Sequence, residues 1–151
     1  MIEIFEVNIK ETEPKLVDEL FNIHEQVFLA NDKLTYENFK NEFNIDNRLY
    51  FVAKIKQKVA GYIGIINCID FFEIIGIGVK KQFQNKKIGT KLLLKIIEKA
   101  RELKIKNIYL EVDEKNDLAI NFYKKNGFVV TNRRKNYYKD SDALILNCSV
   151  L

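Results

Sequence analysis

Residues 71–103 read FFEIIGIGV (71–79), KKQFQNKKIGT (80–90) and KLLLKIIEKAREL (91–103). The first piece is an apolar strand, and the second is a loop of lysine, glutamine and asparagine with one glycine. The third is an amphipathic helix with Leu92, Leu93, Ile96, Ile97, Ala100 and Leu103 at helical spacing. A helix emerging from a basic loop offers its unpaired N–H groups and positive dipole end to an anion. A phosphate cradle is one reading of 80–90; a solvated basic turn is the other.

The glycine spacing restricts the phosphate. A nucleoside triphosphate loop requires GxxxxGK[ST], and here only Gly89 precedes Thr90-Lys91. A dinucleotide fingerprint needs three glycines at set spacing, and these are absent too. With 151 residues, 47% of them hydrophobic and 30% charged, the sequence suits one domain, 1–151, with a sizeable core. The formal net charge of +4 is interspersed along helix faces, which fits a polyanionic small molecule and argues against nucleic acid.

Met1-Ile-Glu-Ile-Phe-Glu alternates, unlike a signal peptide, and no apolar run is long enough to span a bilayer. No membrane partner and a reduced, cytoplasmic setting are expected. Cys68 and Cys148 are far apart and lack CxxC spacing, so neither a disulfide nor a metal site is predicted. His24, the only histidine, lies in a helical pattern and is assigned a structural or surface role.

In chain order, Ile2 to Val7 alternates as a strand. Thr12 is expected to cap a helix with Pro14 in its first turn and Leu16, Leu20, Ile23 and Val27 as its buried stripe. A second helix from Thr35 buries Phe39 and Phe43. Leu49–Ile55 and Val59–Ile66 form a hairpin around Lys56-Gln57-Lys58, and Phe71–Val79 adds a third antiparallel strand. Gly76 and Gly78 in that strand mark either a bulge where a ligand's arm can pair or close packing under a helix. After the Thr90 helix, Asn107–Asp113 is a strand parallel to the preceding one by right-handed crossover. Asn116 then caps a helix from Asp117 to Asn126 with Gly127 at C′. Phe128–Asn132 and Ala143–Val150 close the sheet as a hairpin around RRKNYYKDSD.

Gln84, Ile88 and Gly89 match the acyl-CoA loop of the GCN5-related N-acetyltransferases (GNAT), in which Gln/Arg-x-x-Gly-x-Gly/Ala follows a strand; Lys87 stands at the first glycine. Residues 110–146, LEVDEKNDLAINFYKKNGFVVTNRRKNYYKDSDALIL, resemble the RimI-type ribosomal-protein alanine N-acetyltransferases within that superfamily. The resemblance covers nearly the whole chain, strongly from Phe71 onward. It implies the GNAT fold: an α/β architecture with a mixed central sheet of about seven strands, antiparallel N-terminal strands, a parallel pair splayed at the acyl-CoA site, and flanking helices.

The resemblance also implies acetyl-CoA as donor, without a metal, and a protein N-terminus or a small-molecule amine as acceptor, the protein being a monomer or homodimer. Ile77 and Val79 fall where members pair main chain with pantetheine. Gln84, Asn85, Lys86, Lys87, Ile88, Gly89 and Thr90 fall on the pyrophosphate loop, and Asn116 on a cofactor-contacting asparagine. Glu111 matches the proton acceptor and Tyr123, also at the cofactor, the proton donor. Glu73 is a competing base or acceptor contact, and Tyr137 and Tyr138 can clamp an extended peptide. Read without the family, Glu111 is a solvent-facing strand residue and Tyr123 a core ring. A polyamine, amino-sugar or aminoglycoside acetyltransferase and a non-catalytic acyl-CoA-binding module are the alternative functions.

Overall fold

Two apolar runs meeting at Lys56-Gln57 build the hairpin of β2 (Arg48–Ile55) and β3 (Lys58–Asn67). In the computed structural model, which describes residues 1–150, both turn residues have positive φ, 49° for Lys56 and 66° for Gln57. That is type I′ backbone, whose twist matches the strands, so the hairpin closes without the usual glycine.

β1 (Ile2–Val7) pairs with β2, and β4 (Phe72–Val79) pairs antiparallel with β3. β5 (Asn107–Asp113) runs parallel to β4. Between them the chain makes α3 (Ile88–Glu102), which starts two residues before Thr90. The hairpin of β6 (Val129–Arg134) and β7 (Ala143–Ser149) inserts β7 beside β5, giving one seven-stranded mixed sheet ordered β1-β2-β3-β4-β5-β7-β6. This is the α/β architecture the sequence implied.

Both faces are covered. Against α3 and α4 (Asp117–Lys125) lies a core containing Phe72, Leu92, Leu93, Ile96, Ile108 and Leu146. Under α1 (Pro14–Val27) and α2 (Tyr36–Glu42) lies a second core built on Val17, Leu20, Ile23, Phe39, Phe43 and Tyr62. A bulge in β4 couples the two. Ile65 pairs with Ile74 but Gly64 pairs with Gly76, so Ile75 has no partner of its own and the alternation of β4 inverts there. Ile74 packs with the α3 core, Ile75 with the α1 core, and Ile77 and Val79 return to the α3 side.

The space at the two β4 glycines is filled by α1. A Cβ at Gly76 would lie 2.9 Å from Phe28 Cζ, and one at Gly78 would lie 3.0 Å from Ile23 Cγ2 and 3.2 Å from Val27 Cγ2. Close packing under a helix therefore accounts for these glycines, with the bulge one residue away. Gly78→Ala is expected to destabilise the protein by about 1–3 kcal/mol through overpacking; an unchanged urea midpoint would contradict that packing.

Several sequence boundaries need correction. Thr12 is not the cap of α1: its hydroxyl donates to the Asn8 carbonyl at 2.8 Å, and Glu13 occupies the N-cap without a side-chain bond. Leu103 leaves the buried stripe because the chain turns out of the helix at that residue, and it is exposed. Phe128 precedes β6 and is a fully buried core ring. Asn116 caps α4 as expected, α4 ends at Lys125, and Gly127 has φ 94°. Among the described residues no helix is long and apolar enough to cross a membrane, and no group of three or more metal-ligating side chains is found.

Candidate active site

β4 and β5 hydrogen-bond only from Phe72–Ile108 to Ile74–Leu110. Beyond Ile74 the bulge turns β4 away, so the strands part toward their carboxyl ends. In open α/β sheets that is where ligands bind. The parted strands lie between the α3 side of the sheet and the α1 side.

On the α3 side, the loop 80–90 ends in two left-handed residues, Asn85 (φ 64°) and Lys87 (φ 63°). Lys87 is the N-cap of α3, and the first bond of that turn runs from Lys91 N–H to the Lys87 carbonyl at 3.0 Å. The N–H groups of Ile88, Gly89 and Thr90 are thus left pointing along the helix axis. Left-handed residues alternating with ordinary ones converge successive N–H groups into an anion-binding concavity. Gln84 holds the loop to the strand, its Nε2 donating to the Val79 carbonyl at 3.0 Å. Ile88 is buried as the loop's anchor, while Lys86 is exposed. Gly89 lets the start of α3 approach α4, since a Cβ there would lie 3.3 Å from Phe122.

The lysine at the glycine position therefore adopts glycine-type backbone. A non-glycine residue in that region costs roughly 1–2 kcal/mol. We expect Lys87→Gly to raise the Tm of the ligand-free protein by a few degrees. It should also weaken, several-fold, the binding of the acetyl-CoA that the resemblance implies, by taking an ammonium away from the phosphate oxygens. Calorimetry and thermal melts check the two halves separately; an unmoved Tm contradicts the strain, and an unmoved Kd the charge.

Tyr123 is on the same side of the sheet. It is 5% exposed, packed edge-on between Phe122 and Phe128 with both centroids at 5.3 Å. Burial pushes its phenol pKa well above the ordinary value, with the Asp32 charge adding to the effect. Asn116 accepts from Ala119 N–H at 3.2 Å, fixing the start of the helix that carries Tyr123. Ile77 and Val79 turn their side chains toward this core. On the β5 side, their main chain is unpaired with any strand among the described residues.

On the α1 side, strand alternation puts Glu111 opposite the buried Leu110 and Val112. Its Oε1 lies 3.2 Å from Arg134 Nε, and its charge is the main reason the Tyr137 phenol is raised. Arg134 also sits over the Tyr137 ring at 5.7 Å. Glu73 faces the same space; burial, and then the Glu111 charge, raise its pKa against the pull of Arg134 and Arg48. The cavity here has a volume of about 260 Å³ and is lined by Asp32, Glu42, Glu73, Glu111, Tyr137 and Tyr138, with Phe28, Phe39, Tyr50 and Tyr62 among its aromatic walls. Glu42 is already paired with Arg48.

The cavity is roofed by contacts that sequence spacing did not reveal. Asn31 Nδ2 donates to Asp113 Oδ2 at 2.8 Å, and Tyr138 Oη donates to Asp32 Oδ1 at 2.9 Å. Asp113 is 2% exposed and also accepts from Ser141 Oγ at 2.7 Å and Lys115 N–H at 3.0 Å. Burial opposes its ionisation, but those bonds outweigh it and hold its pKa below the ordinary value. These residues come from segments more than eighty positions apart.

The cleft thus brings Glu73, Glu111, Tyr137 and Tyr138 into one cavity, whereas Tyr123 and the loop 84–90 belong to the other side of the sheet. A model of the Acetyltransferase (GNAT) family matches residues 17–128. A Bacillus subtilis relative, described as a candidate ribosomal protein bS18-alanine N-acetyltransferase, is 30% identical over 135 residues, covering 86% of this chain and 87% of its own. The ribosomal-protein-S18-alanine N-acetyltransferase of Escherichia coli superposes with TM-score 0.84 at 22% identity, covering 99% of this chain and 94% of that one. An aminoglycoside 6′-N-acetyltransferase solved with coenzyme A has the same TM-score, 0.84, at 18% identity, covering 99% and 97% of the two chains. The matched region runs from α1 through the parted strands to the residue after Gly127, and the chain accordingly belongs to the GNAT family and is an N-acetyltransferase.

Proposed function

We propose that this enzyme transfers acetyl from acetyl-CoA to the N-terminal α-amine of a protein, by direct attack in a ternary complex. The observation that carries the reading is the division of the cleft, with an amine-accepting cavity holding Glu111 on one side and an anion-binding loop with Tyr123 on the other. The donor supplies an activated acetyl group on a thioester. The left-handed backbone at Asn85 and Lys87, the open N–H groups of Ile88 to Thr90, and Lys86 and Lys87 fit its pyrophosphate. The unpaired edge of Ile77–Val79 fits its pantetheine, with Asn116 beside it.

Each residue then has a chemical task. Glu111 takes a proton from the incoming ammonium through water. A main-chain N–H in the bulged stretch donates to the carbonyl oxygen where negative charge develops. Tyr123 gives its proton to the leaving sulfur; its raised pKa keeps it protonated at all working pH values and leaves geometry to make the transfer productive.

The preference for an α-amine follows from acidity. Freeing an α-amine of pKa ~8 at pH 7 costs about 1.4 kcal/mol, against about 4.6 kcal/mol for a lysine. A water-linked carboxylate suffices for the first. Tyr137 and Tyr138 flank the cavity where a peptide would leave it. The bS18-alanine enzyme named for the B. subtilis relative supports the same acceptor class.

A second reading, transfer to a small polyamine, amino sugar or aminoglycoside, is favoured by the four carboxylates that line the cavity. The test is acetyl-CoA-dependent thiol release with mass spectrometry of the product. Peptides with a free N-terminal Ala, Ser, Gly or Met are compared with N-blocked, lysine-containing versions, polyamines and aminoglycosides. Acetyl on the α-amine alone is the expected result; acetyl only on the small amines would replace the proposal with the second reading.

A further inference from the structure

His24, the only histidine in the chain, is 2% exposed in the wall of the amine cavity. Its ring lies 4.2 Å from Phe28 and 5.1 Å from Phe39, centroid to centroid. Nε2 accepts the backbone N–H of Leu34 at 2.7 Å, and Nδ1 faces Tyr62 Oη at 3.4 Å. An Nε2 that accepts carries no proton, so the ring is the neutral Nδ1–H tautomer.

That bond holds one end of the segment between α1 and α2. Its middle is held across the cleft, by Asn31 on Asp113 and by Asp32 on Tyr138. Tyr138 adjoins Tyr137, which sits against Glu111. We propose that His24 is a positioning residue for the acceptor: by holding Leu34 it sets the Asn31–Asp32 segment, and through Tyr138 the wall beside Glu111, in the amine-binding arrangement. The inference rests on the reading of this cavity as the acceptor site.

Protonating Nε2 would replace an acceptor with a donor facing the Leu34 N–H, and the clasp would open. Burial is the largest influence on the ring and lowers its pKa; Glu25 opposes this and Lys33 reinforces it. Tyr62 of β3 also faces the ring, with Asp32, Glu42 and Glu73 lining the same cavity. Because the folded pKa is depressed, the clasp is complete above the ordinary histidine range. It contributes progressively less as pH falls below about 6.5.

Two measurements test this. In ¹⁵N-labelled wild-type protein the single imidazole is followed with the Leu34 amide from pH 8 to 4.5. A shared midpoint below 6.5 is expected, and a ring that titrates without moving Leu34 overturns the clasp. In parallel, amine KM, kcat and acetyl-CoA Kd are compared with those of His24→Gln and His24→Leu. Gln keeps an acceptor for Leu34 without a titrating proton. It should match wild-type amine KM at pH 8 and lack the wild-type rise below pH 6.

His24→Leu should raise amine KM roughly tenfold at every pH, with acetyl-CoA Kd unchanged. Wild-type KM at all pH values in both variants, or an acetyl-CoA Kd that moves in step with amine KM, overturns the positioning role. If the Leu variant does not fold, the Gln variant and the imidazole titration decide. Coupling of Leu34 to the ring without turnover on any amine would instead defeat the functional reading and leave the clasp standing.

Discussion

Glu111→Gln is expected to lower kcat/KM for the amine by about 10²- to 10⁴-fold near pH 7, the usual contribution of a positioned general base. The substitution keeps the shape of a side chain held between Arg134 and Tyr137, so the cavity should survive it. What it removes is the carboxylate proposed to free the amine. The loss should therefore be largest at pH 6, where nearly all acceptor is ammonium, and should narrow toward pH 9, where free amine is available without help. A mutant to wild-type ratio that stays flat from pH 6 to 9 would remove Glu111 as the base. Glu73, which shares the cavity and has its pKa raised by burial and by Glu111, is then next in line, and Glu73→Gln would carry the pH-dependent loss instead.

Tyr123→Phe is expected to lower kcat by roughly 10²-fold while acetyl-CoA Kd stays within about twofold. The ring would still pack between Phe122 and Phe128, so the fold of α4 should be unaffected. A proton donor acts mainly in the transition state, so its removal appears in turnover more than in binding. The buried phenol in this structure sharpens the expectation: with its pKa raised, Tyr123 cannot act by equilibrium ionisation. In its proposed role it would contribute only as a neutral donor at short range to the departing sulfur. Equal losses in Kd and kcat would assign it to cofactor binding.

Most of the sheet was legible because its signals are local. Alternation gave β1, the 3.6-residue stripe gave α3, and Asn116 with Gly127 bracketed α4. Gly76 and Gly78 correctly marked an irregular strand, yet sequence could not distinguish a ligand from the side chains of Phe28, Ile23 and Val27 that fill the space. Lys87 read as a defect in a glycine loop because residue type alone does not reveal backbone; at φ 63° it reproduces the glycine conformation. The roof of the cavity was illegible for a different reason. Asn31, Asp32, Asp113, Tyr138 and Ser141 are unremarkable polar residues, and only the tertiary fold brings them together. His24 was assigned a structural or surface role; it is buried, and its helical position gave no hint that it holds the Leu34 backbone beside the cavity.

In the proposed mechanism acetyl passes directly between the two sides of one cleft. Cys68 lies beyond the end of β3 and Cys148 is buried in the sheet, and neither is among the residues that line the cavity. The most direct measurement is the initial-rate pattern of the wild-type enzyme with acetyl-CoA varied at several fixed concentrations of an acceptor amine. Reciprocal plots that intersect, with no acetylated protein trapped when the amine is withheld, are the predicted result. Parallel lines together with a stoichiometric acetyl-enzyme would mean that a side chain carries the acetyl group, and would contradict the account.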